Sequence, residues 1–386
     1  MIHFVNKKRL VRHFCELVSI DSPSFGEEKM CQKLQETLEN LGLSVDRDDT
    51  GKQYHVRYGN LLAFLPGSEG TSQNPGKQFS SLPPLLFCCH MDTVVPALSK
   101  KAVVHEDGTI TSDGSTVLGA DDVAGVVSIL EALQIIQERK LPHRPIEVLF
   151  TMAEEAYSRG MLYFDDTKLR SVEGYTLDLA GPVGSCAYAA PTLLRFTIVC
   201  KGRSAHAGFA PETGVHAIAI AAAAIARLPL GHVDDSTTLN IGGIEGGLAT
   251  NIVPDQCTVT GEVRSLQHET AVSQLNRIQQ IFEEEAVRLG GGINFTSQLG
   301  CRAFFTDPDS TVVKRFESAC SSVGLTPTLT KTFGASDNNY LSQGSFSGIV
   351  LANAMNQVHS CSEYTSVEEL TRSTALTLAL MLSEES

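Results

Sequence analysis

Six side chains in this sequence could share one piece of chemistry: His90, Asp121, Glu154, Glu155, Asp178 and His359. Nitrogen and carboxylate donors without thiolates suit Zn²⁺, with Co²⁺ or Mn²⁺ also compatible. His90 and Asp92 lie two apart at the end of an apolar run, so on a strand they emerge on one side. That pairing is what a metal-bound histidine needs, one ring nitrogen for the ion and a carboxylate for the other N–H. Charge favours two ions over one. Two divalent ions carry four positive charges; Asp121, Glu155 and Asp178 return three and a bridging hydroxide the fourth, whereas one ion would be over-compensated. With Asp121 placed between the ions and Glu155 a ligand, the adjacent Glu154 is left to move the proton of the attacking water. The sequence has no HExxH pair, so a helix-borne single-zinc site is not expected.

These residues need elements to position them. The apolar run within 85–96 (LLFCCHMDTVVP) that ends at His90-Met91-Asp92, together with 146–152 (IEVLFTM), 174–177 (GYTL) and 347–352 (SGIVLA), reads as buried strand. Each delivers an acid or a histidine at or beyond its carboxyl end, where ligands bind in open α/β sheets. Residues 7–42 read as two helices broken at 19–26, with Gly42 as a C-cap. Strands are expected at 43–48 and 60–65, a Gly/Ser/Pro-rich excursion at 66–84, and a helix over 123–137 with Asp121 and Asp122 at its start. Between Asp178 and His359 the pattern changes to strand 193–202, helix 212–227, strands 237–244 and 253–265, helix 267–289 and strand 292–299. This β-α-β-β-α-β order is the ferredoxin-like split unit. The expected fold is therefore α/β, a mixed and largely parallel sheet flanked by helices, with a ferredoxin-like α+β domain inserted. The expected divisions are 1–189, 190–302 and 303–386. The glycine-rich stretch 242–247 (GGIEGG) lacks a following Lys-Ser/Thr and reads as a strand turn.

The 386 residues carry a formal net charge of −14, which argues against nucleic acid or an anionic membrane as partner. No apolar stretch is long enough for a membrane span, and the first residues lack a signal-peptide core. Ten cysteines, several inside apolar strand-like runs, read as reduced thiols of a cytoplasmic protein.

The motifs HMDTVVP, STVLGADDVAG, FTMAEE, YTLDLAG, GRSAHAGFAPETG, FGASDNN and VHSCSEYTSVEEL, in this order, resemble those of the zinc exopeptidases that include peptidase T, glutamate carboxypeptidase and aminoacylase. LGADDVAG and SAHAGFAPE stand in the form of the peptidase T-like branch. The resemblance implies one zinc on His90, Asp121 and Asp178 and a second on Asp121, Glu155 and His359. It implies Asp92 orienting His90, Glu154 as base, and a cis Asp121–Asp122 peptide. It also implies a lid that makes a homodimer, His206 stabilising the oxyanion in the partner's site, and Asn251 and Arg264 touching substrate. A small peptide, a tripeptide losing its N-terminal residue, is the implied substrate. An N-acyl amino acid deacylase or a carboxypeptidase would use the same site. A silent binding protein would have broken motifs, whereas here every ligand position is filled. Ala335 replaces a family glycine, and 352–357 (ANAMNQ) replaces a more glycine-rich loop; both bear on specificity.

Overall fold

The computed structural model describes residues 1–69 and 79–384. It divides into two compact units, one of Met1–Ala189, Phe305–Lys331 and Ser336–Ser386, the other of Ala190–Phe304 with Thr332–Ala335.

In the larger unit, four strands run parallel in the order Ile146–Thr151, Leu85–His90, Glu173–Leu179, Ser347–Ala352. All six residues of Leu85–His90 and all six of Ile146–Thr151 are buried. That is why their sequences are continuous apolar runs rather than alternating ones. Leu61–Leu65 and then Ser44–Arg47 extend the sheet antiparallel on one side, and Ser185–Ala190 follows Ser347–Ala352 on the other. Helix Ala120–Arg139 is buried on nearly every face, and packs against the strand of His90 and helix Val367–Met381. Helices Lys7–Val18 and Glu28–Asn40 present amphipathic faces to the same core, the second ending at Gly42 with φ +80°. The Asp121–Asp122 peptide is cis, and both residues depart from helical geometry. A small antiparallel sheet of Val103–Val104, Thr109–Thr111 and Tyr364–Ser366 anchors the segment after His359. Part of the expected excursion at 66–84 lies outside the described residues; Phe79–Ser81 forms a short 3₁₀ turn.

The smaller unit is an antiparallel sheet in the order Gly231–Asp234, Thr237–Gly246, Gln256–Ser265, Thr192–Lys201, Gly292–Cys301. Helices Ala217–Ile225 and His268–Arg288 pack on it around Ile198, Phe196, Ile220, Val259 and Phe282. Its four long strands follow the ferredoxin-like order. The first helix begins five residues later than its alanine-rich pattern suggests. Pro211–Thr213 is a separate 3₁₀ turn, and the His216 side chain caps the helix by accepting from Ala219 N–H at 3.2 Å. The 242–247 stretch lies in and beside strand Thr237–Gly246, whose register shifts between Ile241 and Gly243.

All ten cysteines are free thiols, and no helix among the described residues is long and apolar enough to cross a membrane.

Candidate active site

Parallel register brings the candidates together. Cys88 pairs with Thr176, so two further residues along each strand set His90 and Asp178 level. Asp178 lies inside its strand rather than after it. The next strand over pairs Thr151 with His90, and the chain then turns into Glu154 and Glu155. Asp121, at the distorted start of the central helix, and His359, in the loop after Ser347–Ala352, complete the group.

His90 is 2% exposed. Its Nδ1 lies 2.9 Å from the Asp92 carbonyl and 3.4 Å from Asp92 Oδ1. Asp92 stands behind the imidazole, but its carboxylate mainly serves main-chain donors: Glu154 N–H to Oδ1 at 2.9 Å and Glu155 N–H to Oδ2 at 3.1 Å. The other ring nitrogen, Nε2, lies 3.0 Å from Asp121 Oδ1 and 3.9 Å from Asp178 Oδ1. Asp121 Oδ2 lies 3.3 Å from His359 Nε2, which is also 3.1 Å from Glu155 Oε2. Asp121 thus turns one oxygen to each histidine. Glu154 Oε1 accepts from Ser158 Oγ at 3.1 Å.

The donor set fits metal ions. His90, Asp121 and Glu155, and likewise His90, Glu154 and Asp178, each place one ligand atom within 4.8 Å of the others. Bonds of about 2.0–2.1 Å in a tetrahedron separate neighbouring ligand atoms by about 3.3 Å, and the observed 3.0, 3.3 and 3.9 Å bracket that value. Electrostatics points the same way. Burial and then the Asp121 carboxylate raise the Asp178 carboxyl well above its usual range. Burial and then Asp337 do the same to Glu154. The carboxylates of Asp121 and Glu155 push His359 up to about 10. Crowded carboxylates that draw protons onto their neighbours form a site for cations.

Several buried groups hold this constellation without having been among the expected site residues, although they lie inside the quoted motifs. Glu363 is 1% exposed and accepts from Asp121 N–H at 2.9 Å and Gly119 N–H at 2.7 Å. Its position four residues after His359 was the available signal. Asp122 accepts from His90 N–H at 3.1 Å and from Asn353 Nδ2 at 2.5 Å. Asp337 accepts from Thr151 Oγ1 at 2.5 Å.

His206, Asn251 and Arg264 belong to the smaller unit. His206 Nδ1 accepts from Gly208 and Phe209 N–H at 3.1 and 3.2 Å, which assigns the neutral ring's proton to Nε2. The Asn251 carbonyl accepts from Ala207 N–H at 2.9 Å, joining the two loops. Arg264 donates to Glu262 Oε1 at 2.7 Å and to the Phe333 carbonyl at 2.8 Å. Its guanidinium is tied to its own unit rather than wholly presented to solvent.

Residues 188–289 match the peptidase dimerisation domain family and residues 73–199 match peptidase family M28. The Bacillus subtilis protein YqjE is 36% identical, with 98% of both chains covered. The crystal structure of aminopeptidase PepT from Bacillus cereus superposes with a TM-score of 0.90 at 36% identity, covering 98% of both chains. A tripeptidase from Staphylococcus aureus gives a TM-score of 0.93 at 34% identity over the same share. Matched end to end by these relatives, the chain belongs to the peptidase T family of metal-dependent peptidases.

Proposed function

We propose that this protein is a di-zinc aminopeptidase that releases the N-terminal residue of tripeptides, working in the cytoplasm as a homodimer formed through the smaller unit. The observation that carries the two-metal reading is Asp121, one oxygen toward His90 and the other toward His359. His90, Asp121 and Asp178 would hold one ion, and Asp121, Glu155 and His359 the other. Bound there, the ions supply polarisation of the scissile carbonyl and acidification of water.

The chain's own groups do the rest. Glu154 accepts the water proton on a carboxylate oxygen and returns it to the departing amine. Ser158 Oγ and the amide bond to Asp92 fix its direction. Asp92 holds the His90 ring so that Nε2 faces the site. His206 directs its Nε2–H at the developing oxyanion of the other copy's substrate. Asn251 and Arg264 contact the peptide, Arg264 through its terminal carboxylate.

The deciding experiment compares a free tripeptide with its N-acetylated form, alongside metal analysis of the active protein. Cleavage of the free peptide alone, with two zinc ions per chain, is expected. Preference for the acetylated peptide would replace this reading with deacylation. Full activity with one ion per chain would overturn the two-metal scheme.

A further inference from the structure

We propose that Glu27 is a positioning residue for the turn that carries Glu154 and Glu155; this rests on reading Glu154 as the proton-transfer group. After strand Ile146–Thr151 the chain passes through Ala153, Tyr157 and Ser158 at φ +50°, +73° and +48°. Residues bearing a Cβ adopt this left-handed region at a cost, and they keep it only where the surroundings impose it.

At Ala153, where this left-handed stretch begins, two carboxylates hold three consecutive amides. Glu27 Oε1 accepts from Ala153 N–H at 2.8 Å. Asp92 accepts from the next two, Glu154 N–H and Glu155 N–H. Both carboxylates are 0% exposed. Glu27 is itself pinned. It stands at the N-cap of helix Glu28–Asn40, its Oε2 accepts from the Tyr58 hydroxyl, and its own N–H donates back to that hydroxyl at 3.0 Å.

Burying a second carboxylate where it feels Asp92 is unfavourable in itself. A neutral acceptor could have capped a single amide. Local rules broken in a buried place are expected at functional or strained sites. The gain is a fixed direction for the Glu154 side chain relative to the water it deprotonates, where small misplacements cost rate. Glu27 comes from the N-terminal segment, 126 residues from Ala153, so the chain spends a long-range contact on this turn.

The test uses the full chain with Glu27→Ala, Glu27→Gln and Tyr58→Phe. Hydrogen exchange is followed at residues 152–158 in metal-free protein, and kcat and KM are measured on a free tripeptide with metal content determined. Glu27→Ala is expected to speed exchange there about tenfold or more. It should lower kcat roughly ten- to hundredfold with KM within about twofold. Glu27→Gln keeps an acceptor for Ala153 N–H and should recover most of both. Tyr58→Phe should fall between them, and it carries the test if Glu27→Ala does not fold. Wild-type exchange at the turn in Glu27→Ala overturns the proposal. So does an equal loss in Glu27→Gln, or a fall in thermal stability with kcat per loaded enzyme intact. If the wild type does not cleave free tripeptides, the proposed function fails, while the exchange comparison still decides the role of Glu27.

Discussion

The adjacent acids Glu154 and Glu155 are the sharpest place to test the chemistry, because the geometry lets either one approach an ion. Ligand atoms of Glu154, His90 and Asp178 lie within 4.8 Å of one another, and so do those of Glu155, His90 and Asp121. What separates them is the rest of their bonding. Glu155 meets His359 Nε2 at 3.1 Å beside Asp121, whereas Glu154 accepts from Ser158 Oγ at 3.1 Å. Substituting Glu154→Gln preserves volume and the Ser158 bond but removes the basic oxygen. Positioned proton transfer contributes about 10²–10⁴ in rate, or about 3–5 kcal/mol of barrier. The variant should therefore retain two metals per chain and lose about two to four decades in kcat. Glu155→Gln should instead lose metal, with activity partly restored by excess metal. The assay pairs metal content after gel filtration with steady-state rates on a tripeptide at saturating metal. Loss of an ion in Glu154→Gln comparable to that in Glu155→Gln would make Glu154 a ligand. Undiminished kcat in Glu154→Gln would remove it from the mechanism.

Glu363→Ala strands the amides of Gly119 and Asp121 in a buried place. At about 1–3 kcal/mol each, the loss should be about 2–6 kcal/mol in urea unfolding of the metal-free protein, and Glu363→Gln should recover part of it. A Cβ on Gly125 would meet Asp122 Oδ1 at 2.5 Å, Cys89 Sγ at 2.7 Å and Asn353 Nδ2 at 2.8 Å. Gly125→Ala should thus cost about 1–3 kcal/mol by overpacking, with weakened metal retention; an unchanged melting temperature would refute this. Lys100 is 2% exposed, and burial lowers its pKa to about 8 despite Asp21 and Glu363. Between about pH 8 and the unfolded lysine value of about 10.4, the unfolded chain binds the extra proton, so stability contributed at this site rises with pH. Lys100→Met should remove that rise, giving a flatter pH profile in denaturant titrations from pH 7 to 10. An unaltered slope would place the lysine's charge outside the folding balance.

What the sequence reveals and what it hides follow from range. A strand buried on both faces leaves a continuous apolar run, and a parallel register brings the ends of such runs to one edge. The gathering of His90 with Asp178, Glu154 and Glu155 at one edge of the sheet was therefore legible without coordinates. The ferredoxin-like order was legible for a similar reason, since its two helices and four long strands each carry their own period. The short edge strand Gly231–Asp234 carries none, because three of its four residues face solvent and nothing in it needs to be apolar. The roles of the supporting carboxylates were hidden for a deeper reason. Glu27 and Glu363 serve main-chain amides 126 and 242 residues away, and an amide donor looks the same whatever its side chain. No residue type at the receiving end can announce such a bond. Asp92 shows the same limit at short range: its place beside His90 reads as a histidine–carboxylate pair, yet its two oxygens are occupied by the amides of Glu154 and Glu155. A candidate ligand set can thus be proposed from side-chain chemistry, whereas the precision with which its groups are held lies in main-chain bonds that sequence does not encode locally. Substitutions of the carboxylates behind the site should accordingly change how fast the turn opens before they change which metal it holds.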